Sequence, residues 1–177
     1  VLDGIDPAKV FLVQLSDFLW QETRTPDERI ETARHYRVFP GEGVHSDQVS
    51  DMVRRLDAMG YRGDYSFEVF NDDYQQIPLE AVAERARRSA LWLGEDVLRR
   101  SVELNPLFVD GWVGLATLLA EGGRRDEAIK AVKEGAAANE QSGRLQYALG
   151  VLAEGNGDAT TAKQAFLKAE QLDPQNV

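Results

Sequence analysis

The strongest constraint on this chain is internal, because its C-terminal part repeats itself. A shift of 34 residues lays Trp112, Leu115, Ala116, Leu119, Ala128 and Val132 onto Gln146, Leu149, Gly150, Ala153, Ala162 and Phe166. The same shift carried backwards takes Phe166 through Val132 to Leu98, and Pro174 through Glu140 to Pro106. The spacing within each copy is helical. A repeat of this kind cannot bury its apolar face alone, and roughly three are needed to close a continuous core. Two full copies are present, so a further helix has to serve as the missing neighbour. The stretch that opens at Pro78 offers one, since Val82, Ala86, Ala90, Leu93 and Val97 give it an unbroken apolar face out to about Leu104.

These residues resemble the tetratricopeptide repeat, a helix-turn-helix unit in which small residues let paired helices approach and larger ones fill between them. The resemblance covers about residues 106 to 177. It rests on the period, on Ala148 to Gly150, on the turn at Gly155 to Asp158 and on Leu172 to Pro174. Gln146 stands where a bulky residue is usual, and Glu140 where proline is usual. The resemblance implies a concave surface for a protein or peptide. The competing reading is a packing module that caps an incomplete domain, with Arg124, Arg125, Lys130 and Lys133 as solvated helix surface.

The preceding residues have a different character. Residues 1–99 carry 11 Arg and one Lys, whereas 100–177 carry four of each and are richer in Ala and Gly. The expected division is therefore 1–99 and 100–177, with the helix over 78–104 shared. Val10 to Leu15 is a short apolar run that reads as a strand buried on both faces, interrupted by Gln14. After the charged stretch Gln21 to Arg34, His35 to Phe39 reads as a second strand, stopped by Pro40, Gly41 and Gly43. Ser46 or Asp47 then caps a helix carrying Val49, Met52, Val53, Leu56 and Met59, which stops at Gly60. Tyr65 to Phe70 reads as a third strand. The order β, β, α, β, α implies right-handed crossovers and parallel strands. The expected fold class is thus α/β plus all-α: a partial (β/α) barrel of about three parallel strands, followed by an array of helical hairpins.

VFLVQLSDF, RHYRVFPGEGVHS and GYRGDYSFEVFNDDY are similar to the C-terminal end of the sugar phosphate isomerase/epimerase superfamily of metal-dependent barrels, and within it to 3-dehydroshikimate dehydratase-like proteins. The similarity covers about residues 5 to 99 and corresponds to the last three strands of eight. A complete barrel needs roughly 250 residues, more than the 177 here. What the resemblance implies is a divalent cation (Mn, Mg or Co) at the strand ends, with Gln14 and Glu68 as two of its four ligands and the other two on earlier strands. It also implies that Glu68 shares in ligation and proton transfer, and that Arg34, His35 and Arg37 hold an anionic substrate or move a proton. A metal-dependent lyase or isomerase, incomplete as a single chain, is one functional reading. The other is a non-catalytic assembly module, natural or engineered.

Each candidate residue also has a plainer explanation. Gln14 can be a hydrogen-bonded core amide, and Glu68, flanked by Phe67 and Val69, can be balanced by an arginine instead of a metal. His35 and His45 are isolated histidines suited to structural or surface roles. Gly41-Glu42-Gly43 lacks the third glycine of a dinucleotide loop and reads as a turn, as do Asn71, Asp72 and Asp73.

Composition narrows the partners. Thirty acidic residues against 20 basic ones give a formal charge of −10, which repels nucleic acid and anionic membranes. There is no Cys, hence no disulfide, thiolate nucleophile or cysteine zinc site, and a reducing cytoplasm is the expected compartment. VLDGIDPAKV lacks the basic and apolar regions of a signal peptide, and its initial Val leaves room for a preceding segment. An open parallel sheet predicts self-association or a complementing barrel segment.

Overall fold

The computed structural model describes residues 4–174, and the chain divides into two compact units, one up to Leu93 and one from Gly94 onward. In chain order the elements are β1 (Leu12–Leu15), β2 (Asp17–Phe18), α1 (Pro26–His35), β3 (Arg37–Val38), α2 (Ser46–Ala58), β4 (Asp64–Phe67), α3 (Leu79–Leu104), α4 (Val109–Glu121), α5 (Arg125–Ala138), α6 (Gly143–Gly155) and α7 (Ala159–Leu172), with short 3-10 turns at Pro7–Lys9 and Asp73–Gln76. The chain is mostly helical, with only a few short strands among the described residues.

The C-terminal unit is the helical-hairpin array that the period demands. Val102, Leu115, Leu119, Ala128, Val132, Leu145, Leu149 and Ala165 form one buried cluster, with Leu98 packed against it. Leu98 and Val102 lie on α3, so the C-terminal end of that helix supplies the neighbour that two repeats lack. The period extends into the backbone. Gly123 and Gly157 both take positive φ, 79° and 78°, and the next residues, Arg124 and Asp158, donate their N–H to Leu119 O and Ala153 O, each at 2.9 Å. Both helices therefore end in the same glycine-dependent cap. Gly135 is required for helix approach, since a Cβ there would lie 2.6 Å from Trp112 Cγ and 2.8 Å from its Cβ; at Gly150 a Cβ would lie 2.5 Å from the ring edge of Phe166 at Cε1.

The N-terminal unit departs from the expected row of three parallel strands. β1 and β4 pair directly and in parallel, with Gln14 opposite Ser66 and Leu15 opposite Phe67. The segment expected over His35 to Phe39 is a strand only at Arg37–Val38, and it pairs antiparallel with β2. Two local interactions draw it away. Tyr36 bridges antiparallel to Asn71, and Val38 and Phe39 bury themselves, with Phe39 edge-on to Phe67 at 5.3 Å and stacked on Tyr74 at 5.6 Å. Nor is β1 buried on both faces. Only Leu15 is buried, while the adjoining Phe11 is 85% exposed, because a two-stranded sheet has too few neighbours to cover both sides.

Most of the charged stretch Gln21 to Arg34, given no element in the order read from the sequence, is the helix α1. Thr25 accepts from Glu28 N, the Glu28 carboxylate accepts from Thr25 N, and Pro26 occupies the first turn. This reciprocal cap starts the helix without an apolar face. The helices expected at α2 and α3 are present and Gly60 takes φ +92° after α2, but the expected cap at Ser46 or Asp47 is not: Ser46 is the first residue of α2, His45 precedes it without a side-chain cap bond, and the Ser46 hydroxyl is turned to Asp17.

Candidate functional site

Three of the five residues singled out in the sequence, Gln14, Glu68 and Arg37, meet at the C-terminal ends of the parallel pair. Gln14 lies on β1, and Glu68 follows β4, its N–H donating to Leu15 O at 3.0 Å. That main-chain bond extends the ladder by one step and brings the two side chains side by side. Gln14 Nε2 donates to Glu68 Oε1 at 3.3 Å. Arg37 Nη1 donates to Glu68 Oε2 at 2.7 Å and to Glu68 O at 3.2 Å. Arg37 is further fixed by its Nε, which donates to Ala33 O at 2.8 Å, and by the Phe70 ring 4.9 Å from its guanidinium carbon. With side-chain exposures of 21% for Arg37 and 36% for Glu68, the pair sits at a solvent-accessible edge.

The carboxylate between Phe67 and Val69 is thus balanced by an arginine, the plainer of the two explanations open from sequence. The other explanation concerns what the oxygens offer. The Gln14 amide oxygen and the Glu68 carboxylate are hard donors of the kind that suit Mg²⁺ or Mn²⁺. They amount to two donors of the six or so such an ion takes, and ligation by Gln14 requires its amide to turn its oxygen toward Glu68. Among the described residues no group of three or more His, Cys, Asp or Glu is gathered as a metal site. The residues present therefore fit a divalent cation only as a partial ligand set.

His35 lies apart from this cluster, at the end of α1. Its Nδ1 is 3.0 Å from the Asp72 carboxylate and its Nε2 is 3.2 Å from Glu31. The hydrogen bond to Asp72 chiefly, opposed by desolvation and helped by the charges of Asp72 and Glu31, raises the imidazole pKa above its ordinary 6.5. Arg34, the remaining anion-binding candidate, pairs with Glu31 at 3.1 Å. His45 precedes α2 and faces a cleft it shares with Trp20, Arg29 and Thr32.

The two turn motifs are structural. Glu42 accepts from Tyr74 Oη at 2.7 Å and from Arg85 Nη2 at 3.1 Å, joining the PGEG turn to α3, while burial and the bond to Glu42 push the Tyr74 phenol up to about 12. Asn71 donates to Arg37 O at 2.8 Å and accepts from Asp73 N at 2.9 Å, which closes the turn after β4 and holds Arg37 from behind.

Sequence reasoning missed Asp17, which holds this framework together. Its carboxylate is fully buried and accepts from Phe18 N at 2.6 Å, from His45 N at 2.9 Å and from the Ser46 hydroxyl. It latches β2 to the start of α2. Gly43 is required beside it, because a Cβ there would lie 2.3 Å from Asp17 Cγ and 2.5 Å from Phe18 O. The available signal was an aspartate two residues after the apolar run that ends at Leu15, followed downstream by a histidine-serine pair at a helix start.

Comparison with known proteins divides along the same line. The tetratricopeptide repeat family model matches residues 143–176. A 3-dehydroshikimate dehydratase of Pseudomonas aeruginosa is 37% identical over 87 residues, 49% of this chain and 13% of that enzyme. A 3-dehydroshikimate dehydratase of Pseudomonas putida is 34% identical over 100 residues, 56% of this chain and 15% of that enzyme. The chain thus spans less than a fifth of the length of these curated relatives. Among solved structures, MamA shares 25% identity at TM-score 0.42, covering half of each chain. YrrB, described as a tetratricopeptide repeat protein with an unusual peptide-binding site, shares 21% at TM-score 0.45, covering 73% of this chain and 61% of that one. Part of this chain is therefore weakly homologous to 3-dehydroshikimate dehydratase, and the chain carries a tetratricopeptide repeat. No helix of the described residues is long and apolar enough to cross a membrane.

Proposed function

We propose that the N-terminal unit is the closing segment of a partial (β/α) barrel of the sugar phosphate isomerase/epimerase type, and that it contributes Gln14 and Glu68 to a divalent-metal site completed by other ligands. The observation that carries this reading is the convergence of Gln14, Glu68 and Arg37 at the C-terminal ends of the two parallel strands, where (β/α) barrels place their chemistry. A bound Mn²⁺, Mg²⁺ or Co²⁺ would supply Lewis-acid polarisation of a substrate carbonyl. This chain's own contribution is positional. Arg37 anchors one carboxylate oxygen of Glu68 and Gln14 the other, so Glu68 is held at the strand end with its charge balanced. From that place it can ligate or exchange a proton with a substrate. His35, ion-paired across the β4 turn, steadies the loop that carries Asn71 and through it the main chain of Arg37.

The exposed Phe11 and the 74% exposed Trp20 support a complementing barrel segment, or a second copy, as the partner of this unit. The C-terminal array is a protein- or peptide-binding module on this reading, and the match at residues 143–176 supports it. The second reading, a non-catalytic assembly module, is favoured by one specific observation: Glu68 already has a guanidinium partner.

Calorimetric titration of the full chain with Mn²⁺ separates the two. The catalytic reading expects saturable binding that is lost in Glu68→Gln and weakened in Gln14→Leu. Binding that persists unchanged in both variants, or no binding to the unsubstituted chain, overturns it.

A further inference from the structure

A second association surface lies on the helical array, independent of the barrel-like unit. Along α7, Glu154, Ala162, Lys163, Phe166, Leu167 and Glu170 line a groove of about 440 Å³. The 34-residue period says what such a surface does elsewhere in the same chain. The equivalents of Glu154, Lys163, Phe166 and Glu170 one repeat earlier are Ala120, Ile129, Val132 and Ala136. Those four pack into the core together with Leu145, Ala148, Leu149 and Leu152 of α6, so in the first repeat this face is closed by the next helix.

In the second repeat the pattern changes in a particular way. The apolar centre is kept as Phe166 and Leu167, and Leu167 is 49% exposed. The flanks become charged, with Lys163 on one side and Glu170 on the other. Neither has an ion-pair partner among the described residues, although sixteen other Arg, Lys or His residues there are paired. A further repeat of the same kind requires apolar residues at these flanks, so this face does not suit one.

The spacing i, i+3, i+4, i+7 puts Lys163, Phe166, Leu167 and Glu170 on one stripe of α7. The stripe is self-complementary. An antiparallel two-fold pairing centred between Phe166 and Leu167 sets Lys163 of one copy opposite Glu170 of the second copy, and the reverse, with Phe166 against Leu167 in the middle. The geometry points to a symmetric dimer formed by α7 against α7 of a second copy of this chain. Two-fold interfaces demand this reciprocity, because each contact occurs twice. A 14-residue helix is about 21 Å long, so the contact is smaller than the interfaces of about 1,200–2,000 Å² that hold tight complexes, and the dimer exchanges in the micromolar range.

Sedimentation velocity of the full chain across the micromolar range tests this with three variants. Lys163→Glu and Glu170→Lys each set like charges against each other at two places, and each is expected to weaken the dimer at least about tenfold. The double variant Lys163→Glu/Glu170→Lys restores both pairs with the sense reversed, so the dimer returns. These positions are exposed, and an unchanged thermal transition checks that each single variant is folded. A monomer at all concentrations means the charged flanks are only a solvent-facing cap, and overturns the proposal. A dimer unaffected by either single reversal assigns association to another surface, such as the open sheet, and overturns it equally.

Discussion

Asp17 provides the sharpest prediction about the N-terminal unit. In Asp17→Ala the N–H groups of Phe18 and His45 lose their acceptor. Both bonds are only partly buried, so each orphaned donor costs about 1 kcal/mol, the low end of the range for unsatisfied donors, about 2 for the two. Ser46 adds little to the loss, because its hydroxyl can turn to Gly43 O, 3.2 Å away. Removing a carboxylate from the start of α2 adds about 0.3–1 kcal/mol through the helix dipole. The sum, about 2–3 kcal/mol, is a sizeable share of the 5–15 kcal/mol that a domain of ordinary stability has. Asp17→Asn is different. Its Oδ1 can keep both N–H groups and its Nδ2 can donate to Ser46 Oγ, so the expected cost is about 1 kcal/mol, the charge-assisted part of the bonds. Native-state hydrogen exchange of the α2 amides reads both values. Equal losses in the two variants would refute the account of Asp17 as a hydrogen-bonded latch.

Three further predictions follow from single geometries. Gly135→Ala meets the root of the Trp112 side chain, which cannot swing away, whereas Gly150→Ala meets the edge of the Phe166 ring. Overpacking of about 1–3 kcal/mol, less about 1 kcal/mol gained in helix propensity, should leave Gly135→Ala clearly destabilised and Gly150→Ala near neutral in urea unfolding. His35 has a raised pKa, so its stabilising contribution is complete below 6.5, its ordinary value, and fades as pH rises through the raised one. The N-terminal unit should accordingly lose stability between mildly acidic and mildly alkaline pH, and His35→Gln should flatten that part of the profile in thermal melts. Arg37→Met should change metal-free stability by no more than about 1 kcal/mol from the loss of its partly exposed ion pair, read in the same melts.

The helical array was legible because its constraint is repetitive and local. The same positions recur after 34 residues, and even the capping glycines Gly123 and Gly157 obey the period. The N-terminal unit was less legible because its pairing is decided by contacts far apart in sequence. β1 finds β4 across some fifty residues, from Leu12 to Asp64, while Val38 and Phe39 bury themselves elsewhere, and no periodicity in the sequence announces either event. α1 went unread since its apolar face is weak, though the Thr25-Pro26 start with Glu28 three residues on was visible. In the site, Gln14, Arg37 and Glu68 were named through the family resemblance, and their side chains lie together in the structure. Asp17 was not, because its importance comes from one N–H group and a hydroxyl nearly thirty residues away.

The central claim is that Gln14 and Glu68 act together as ligands. The measurement that tests it most directly is a thermal melt of the chain in chelator and then with Mn²⁺, Co²⁺ or Mg²⁺, repeated for Glu68→Gln. A cation bound only by the folded state at ten times its dissociation constant adds about 1.4 kcal/mol, which for a unit of this size raises the midpoint by about 6–11 °C. The account predicts that rise in the unsubstituted chain and none in Glu68→Gln. No rise in either protein, or the same rise in both, contradicts it.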